Sequence, residues 1–257
     1  MKIAVLVKEV PDSYGERALN TTTGLADREA SDRVLDEITS RAVEAAVSHA
    51  ESAEGVEVVL LSMGPQSAEA MLRKTLAIGA DGAYLVTDEA LLGADMGLSA
   101  EVLAAALKHI GFDLVIAGDV SSDGAGGMLP TMLAERLGVA HLTSLDSLEI
   151  SDSQVSGDRA GYGGTVSLRA DLPAVVSVTE RLPDARFPGF KGIMSAKKKP
   201  LETLSLDQLG VDAQADVPRS IMLSVTAAPA RTAGTKITDD GEAGKQLADY
   251  LADKRLV

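Results

Sequence analysis

Four glycines, Gly118, Gly124, Gly126 and Gly127, lie between the two apolar runs of residues 112–138, FDLVIAGDVSSDGAGGMLPTMLAERLG. Lacking a Cβ, each can take a positive φ and turn successive N–H groups toward an anion. Ahead of them, residues 114–117 form an apolar run suited to a buried parallel strand. After them Met128, Met132, Leu133 and Leu137 recur at helical spacing. A helix that opens just past the glycines adds unpaired N–H groups and a positive dipole end. The chemistry this stretch can do is to hold phosphate through its backbone. Its spacing is neither G-x-G-x-x-G nor that of a P-loop, and no Lys follows to reach a β- or γ-phosphate. A monophosphate or pyrophosphate therefore fits better than ATP hydrolysis. The competing reading is a flexible connection with ordinary turn glycines.

Composition narrows the other chemistries. Cysteine is absent, which removes disulfides, thiolate catalysis and Cys-ligated metal or iron–sulfur centres, and accords with a reducing cytoplasm. His49, His109 and His141 stand far apart, with no carboxylate or His at ligand spacing, so each reads as a helix-surface or helix-end residue rather than a metal ligand. A net charge of −14 argues against non-specific nucleic-acid binding. With no Trp and 3% aromatics, ring stacking is not the main grip on a ligand. Met1 leads into a strand-like run rather than a basic segment and a long apolar stretch, so no export signal is read. No apolar run is long enough to span a bilayer. Neither an activated nucleophile, a paired acid and base, nor a metal cluster stands near the glycine loop, which leaves an enzyme acting on a nucleotide without support.

The elements that must position the loop follow from periodicity. Residues 2–8, KIAVLVK, read as a central strand, followed by a polar, irregular excursion over residues 13–32. Ile38, Ala42, Val43, Ala46 and Val47 mark an amphipathic helix over residues 36–53. A strand at 56–62, a turn at Met63-Gly64-Pro65, a helix at 67–78 closed by Gly79, a strand at 83–86 and a helix at 96–110 complete the alternation. Strands alternating with helices imply a parallel sheet, and ligands of such sheets sit outside the strands' carboxyl ends. That rule gathers Leu6, Val7 and Lys8, then Met63, then Gly118, Asp123, Gly124, Ala125, Gly126, Gly127, Met128 and Leu129 around one crevice. Asp36 either reaches a ribose hydroxyl there or caps its own helix.

After Gly138 the pattern changes to short strands and turns over residues 147–170, then an apolar strand at 172–178 that can rejoin the sheet. The expected fold class is α/β, an open, mostly parallel, Rossmann-like sheet with a β-hairpin insertion and an extended C-terminal arm. Its expected divisions are 1–180, 181–200 and 201–257. The middle segment, RLPDARFPGFKGIMSAKKKP, has no period through its first half. It nonetheless displays Phe187, Phe190, Ile193 and Met194 ahead of Lys197, Lys198 and Lys199. Apolar anchors beside a charge cluster read as a partner-docking element; the alternative folds the rings back onto the domain and leaves the lysines solvated. The last stretch ends in a helix at 244–256 with Leu247, Tyr250 and Leu251 on one face, too small a core to stand alone.

Taken together, KIAVLVKEVPD, VLDEITSRAVEAA, SMGP, AGDVSSDGAGG, LPAVVSVTERLPDARFPGFKGIMSAKKKP and ARTAGTKI resemble the β subunit of electron transfer flavoprotein over nearly the whole chain. IMSAKKK and RTAG are the most specific, and the glycine loop and FPGFKGIM look like the actinobacterial branch. The resemblance implies a heterodimer with a larger α subunit that holds most of the redox FAD, and a structural AMP in the β crevice. That AMP would be lined by the positions named above, from Leu6 through Leu129. It implies that Asp12, Ser13 and Tyr14 approach the flavin. The segment before AKKK would be the loop that docks acyl-CoA and related flavin dehydrogenases through Phe190, where relatives often carry Leu, with electrons passing on to a membrane quinone oxidoreductase. The subunit would be a carrier with no catalytic residues of its own. Where many relatives place Asn, Gln and Thr opposite the phosphate, Gly127, Met128 and Leu129 stand here, so backbone N–H groups must take over. Some bifurcating members bind a second FAD in the same crevice, and the altered loop leaves that open. A free-standing nucleotide sensor of the universal-stress type shares the crevice but has no use for the segment after Arg181.

Overall fold

The computed structural model describes residues 1–15, 17–215, 220, 222–230 and 232–257. It divides into two units, Met1–Leu223 and Ser224–Val257. The first opens with β1 (Lys2–Leu6), whose KIAVL run is buried almost throughout. An excursion follows: β2 (Glu9–Pro11), a hairpin of β3 (Ala18–Leu19) and β4 (Ala26–Asp27), and β5 (Arg33–Leu35), which pairs antiparallel with β2. The amide of Asp36 donates to the carbonyl of Lys8, closing the excursion where it began. Then come α1 (Glu37–Ser52), β6 (Glu57–Met63), α2 (Glu69–Thr75), β7 (Gly82–Val86), α3 (Met96–Ile110), β8 (Leu114–Gly118) and α4 (Leu129–Leu137).

β9 (Ala140–Leu145) is followed by a three-stranded antiparallel sheet of β10 (Glu149–Ile150), β11 (Gln154–Gly161) and β12 (Gly164–Asp171), and β13 (Ala174–Val178) then returns to the main sheet. That sheet has seven parallel strands in the order β14-β7-β6-β1-β8-β13-β9, where β14 is Leu201–Leu204. The α/β class expected from the alternation is the one observed. Both faces are covered, so alternate residues of each strand enter different cores. Ile3 and Val5 join Ala42, Val43 and Leu72 on the α1 and α2 side, while Ala4 and Leu6 join Leu103, Leu107 and Leu133 on the α3 and α4 side. β1 lies between β6 and β8, with Ile3 opposite both Val58 and Leu114, and the chain builds outward from it in both directions. The switch point of the sheet is therefore the gap beside the carboxyl ends of β1 and β8.

Two stretches differ from the reading of the sequence. Residues 190–196, read as part of a docking loop in a segment without a period through its first half, form helix α5 (Phe190–Ala196). Residues 201–209, grouped with the arm, belong to the sheet: β14 lies parallel to β7, and α6 (Leu206–Leu209) follows under a Ser205–Gln208 capping box. The LETL run is an edge strand that buries Leu204 and leaves Glu202 and Thr203 exposed, so it carries too few apolar residues to stand out. The second unit is mostly without regular structure before α7 (Ala243–Asp253), which buries no residue. Arg231 of the RTAG stretch, with residues 216–219 and 221 of the expected arm, lies outside the described residues.

Candidate functional site

A crevice of about 350 Å³ opens at the switch point. Leu6, Val7 and Lys8 line it from the end of β1, Met63 from β6, and Gly118, Gly124, Gly126, Gly127 and Leu129 from the glycine loop and the start of α4. The structure thus brings together nine of the positions grouped by the sequence. It adds Ala94, Asp95, Met96, Ser99 and Leu103 from the start of α3, together with Thr39, Leu61, Asp119, Val120 and Ser121. The carboxyl-end rule, applied also to the connection after β7, points to the α3 residues.

Asp36, Asp123, Ala125 and Met128 are not in the lining, and two of them act on the loop from behind. Asp36 is 2% exposed. One carboxylate oxygen accepts from the amides of Ile38 and Thr39 at the start of α1, and the other accepts from the amide of Ser122 at 3.0 Å. Both oxygens are thus engaged, which favours the cap over the ribose contact. Asp123 accepts from Lys8 Nζ on one oxygen and from Arg28 Nη2 on the other, each at 2.7 Å. Burial alone would raise its pKa, but the hydrogen bonds from Lys8 and Ser121, the Lys8 charge and Arg28 hold it well below the usual carboxylate range. Lys8 Nζ also donates to Ser121 Oγ at 3.1 Å, and Arg17 to the carbonyl of Ser122.

The glycines serve different purposes. Within the loop the positive φ angles belong to Ala125, at 46°, and Gly127, at 65°, not to Gly118, Gly124 or Gly126. Gly118 lets the end of β8 meet α1, since a Cβ there would lie 3.2 Å from Ile38 Cγ2. At Gly126 a Cβ would lie 2.6 Å from Met96 Cε. Not every loop amide is open: that of Gly124 donates to the Asp123 carboxylate and that of Ala125 to the Ser121 carbonyl. What is left is the end of α4. Asp36 caps α1 and Asp95 caps α3, but Met128 gives α4 no side-chain cap. Of the three helix starts beside the crevice, α4 alone among the described residues presents its positive end uncovered. Lys8 supplies positive charge to the wall, Asp95 and Asp119 negative charge. Burial, helped by Glu180 and Asp146, pushes the Asp119 carboxyl up against the pull of the Val120 amide.

A second feature stands on the α1 and α2 side of the sheet. Phe187 is 98% exposed and Phe190 81%, and Ile193 and Met194 are about half exposed. Phe190, Ile193 and Met194 share one face of α5 by their spacing. The opposite face is fixed: a Cβ at Gly192 would lie 2.5 Å from the carbonyl oxygen of Ala77, and Ala196 is buried. Arg73 donates to the carbonyls of Ala196 and Lys199. Lys197 and Lys198 are exposed. Lys199, grouped with them as a steering charge, instead donates to the carbonyls of Gly79 and Ala80, and burial lowers its pKa. In the loop after β2, the Asp12 carboxylate accepts from the amide of Tyr14, whose ring stands clear of the protein, beside exposed Ser13.

Residues 23–209 match the family described as the electron transfer flavoprotein domain. The chain is 43% identical to electron transfer flavoprotein subunit beta of Mycobacterium tuberculosis strain H37Rv over 264 residues, covering 99% of each chain. It is 42% identical to the Mycobacterium leprae protein of the same description, again over 99% of each. It is 31% identical over the full length of both chains to the caffeyl-CoA reductase-Etf complex subunit CarD of Acetobacterium woodii.

Proposed function

The chain belongs to the electron transfer flavoprotein family as a β subunit, and from that premise we propose that it pairs with an α subunit and holds AMP in the crevice as a structural ligand. It presents α5 to acyl-CoA and other flavin dehydrogenases in the cytoplasm, and electrons leave toward a membrane quinone oxidoreductase. FAD, held mainly by the α subunit, supplies the redox chemistry. The residues of this chain bind and orient; none acts as a catalytic group.

The observation that carries the AMP reading is the uncapped start of α4 at the switch-point crevice. A phosphate placed there would accept from amides over residues 126–129 and meet the positive helix end. Leu6, Leu61 and Leu103 give an adenine ring an apolar wall. The volume lies at the small end of the range for small-molecule sites, which favours a mononucleotide over FAD in this crevice. Asp36 and Asp123 hold the loop in place from behind. Asp12, Ser13 and Tyr14 face the flavin of the α subunit, and the amphipathic α7, with no buried residue of its own, packs on that subunit.

Co-purification with the α subunit tests the reading: denatured complex should release one FAD and one AMP, identified by mass and absorbance. Two FAD per heterodimer would replace AMP by a second flavin. Full flavin content and an intact heterodimer after removal of all nucleotide from the crevice would remove the structural role.

A further inference from the structure

The projecting apolar face needs a fixed base, and its two ends are held in different ways. The rear of α5 is held by Gly192, Ala196 and Arg73 against α2 and the turn after it. The front, where the chain enters through Phe187, Pro188 and Gly189, is held by α1. Arg41, Glu44, Ser48 and Glu51 recur on α1 at intervals of three, four and three, so they form one stripe on its outer side. Ala42, Val43, Ala46 and Val47 fill the opposite face. Arg41 grips the carbonyl of Leu182 and the carboxylate of Asp184.

Arg186 makes the last hold before the exposed rings. Its amide donates to Glu44 Oε2 at 3.0 Å, and its Nε lies 3.0 and 2.9 Å from the two Glu44 oxygens. Nη2 reaches Glu44 Oε1 at 2.7 Å, Ser48 Oγ at 3.2 Å and Glu51 Oε2 at 2.9 Å, while Nη1 reaches Glu51 Oε1 at 2.6 Å. Only a planar guanidinium can fork to two carboxylates in this way. Burial works to raise the Glu44 pKa, but the Arg186 and Ser48 hydrogen bonds outweigh it, so the pair is fully ionised at neutral pH. The residue after this clamp is Phe187, the most exposed ring of the segment.

We propose that the Glu44–Ser48–Glu51 stripe of α1, by gripping Arg186, pre-organises the surface of Phe187, Phe190, Ile193 and Met194 for its protein partner, and that Arg186 is a positioning residue for docking. This rests on the docking role given to α5 above. An apolar surface fixed before encounter loses less conformational freedom on binding than one on a swinging loop, and the difference appears as affinity. The clamp touches neither the crevice nor the loop after β2, so its loss leaves nucleotide and flavin in place.

The test uses the assembled heterodimer with an acyl-CoA dehydrogenase as electron donor. Arg186→Gln should raise KM for the carrier about fivefold with kcat, flavin content and nucleotide content unchanged, a split expected when pre-organisation is lost. Arg186→Lys should recover part of the affinity. Adding Glu44→Gln to Arg186→Gln should not restore it, since that change removes the stranded carboxylate without restoring the clamp; full recovery would trace the defect to the stranded charge and overturn the proposal. Combined with Phe190→Ala, Arg186→Gln should add less than it does alone. If Phe190→Ala raises KM and Arg186→Gln does not, the clamp has no positioning role. If Phe190→Ala leaves KM unchanged, the docking role itself falls. Should Arg186→Gln prevent assembly, Glu51→Gln on the exposed end of the clamp asks the same question.

Discussion

The crevice and the docking face are both built on glycines and ion pairs, but with opposite aims. At the crevice the ties lie behind the loop: Asp36 to Ser122, and Asp123 to Lys8 and Arg28. They hold the backbone so that one helix end is left uncovered toward the space in front. On the docking face the backbone is turned inward against Ala77 and its carbonyls are stapled by Arg73, so that side chains are what remains outside. One region displays main chain and the other displays rings, and each conceals what the other shows. Recognition of a small anion needs fixed N–H groups, whereas recognition of a protein needs apolar anchors that desolvate well.

That contrast predicts different responses to the same change. A methyl group added at Gly192 meets a backbone carbonyl oxygen at 2.5 Å, and one added at Gly126 meets the end of the Met96 side chain at 2.6 Å. The backbone cannot move aside, so Gly192→Ala should cost about 3 kcal/mol of stability, at the upper end of ordinary overpacking. The Met96 thioether can swing, and Gly126→Ala should cost less than about 1 kcal/mol. Chemical denaturation of the two variants decides it; equal losses would mean that the helix seat and the loop are equally rigid. Next in size is Phe190→Ala. It should weaken the dehydrogenase complex by about 2 kcal/mol with the denaturation midpoint unchanged, because the ring meets solvent rather than core. A comparable fall in stability would show that the ring packs on its own subunit.

What the sequence disclosed follows from distance along the chain. β1, β8 and the helices of the sheet announce themselves through local apolar periods, and the carboxyl-end rule then places Leu6, Met63 and Gly118 together without any knowledge of side-chain contacts. The ties were not legible. Asp36 and Ser122 are 86 residues apart, Arg186 and Glu44 142, and nothing local marks an acid as anchored rather than solvated. Lys199 looked like its neighbours Lys197 and Lys198 because its carbonyl partners at Gly79 and Ala80 carry no sequence signature. The glycine signature covered only part of the turn after Ser121. Its positive φ falls on Ala125 as well as Gly127, the Ala125 amide bonding to the Ser121 carbonyl.

The smallest effect is expected behind the crevice loop. Asp123→Asn keeps an acceptor near Lys8 and Arg28 but removes the charge both cations face. Because those cations are roughly 40% exposed, solvent already screens part of each attraction, and the loss at pH 7 should be about 1 kcal/mol. The folded pKa of Asp123 lies below the unfolded value. Its stabilisation is therefore present above the ordinary carboxylate range and is lost as pH falls from there toward the folded pKa. The variant should accordingly lose less stability than the parent on acidification, and the two curves should converge at low pH. Nucleotide affinity should move the other way. With its counter-charge gone, Lys8 adds positive potential to the crevice wall, and AMP should bind at least as tightly, by an increment that shrinks as salt is raised. Titration calorimetry at two ionic strengths separates the outcomes: a loss of affinity would mean that the charge of Asp123, and not only the acceptor that Asn retains, is needed to hold the loop, while a gain confined to low salt would mean that the retained acceptor suffices for the loop and the charge only offsets that of Lys8.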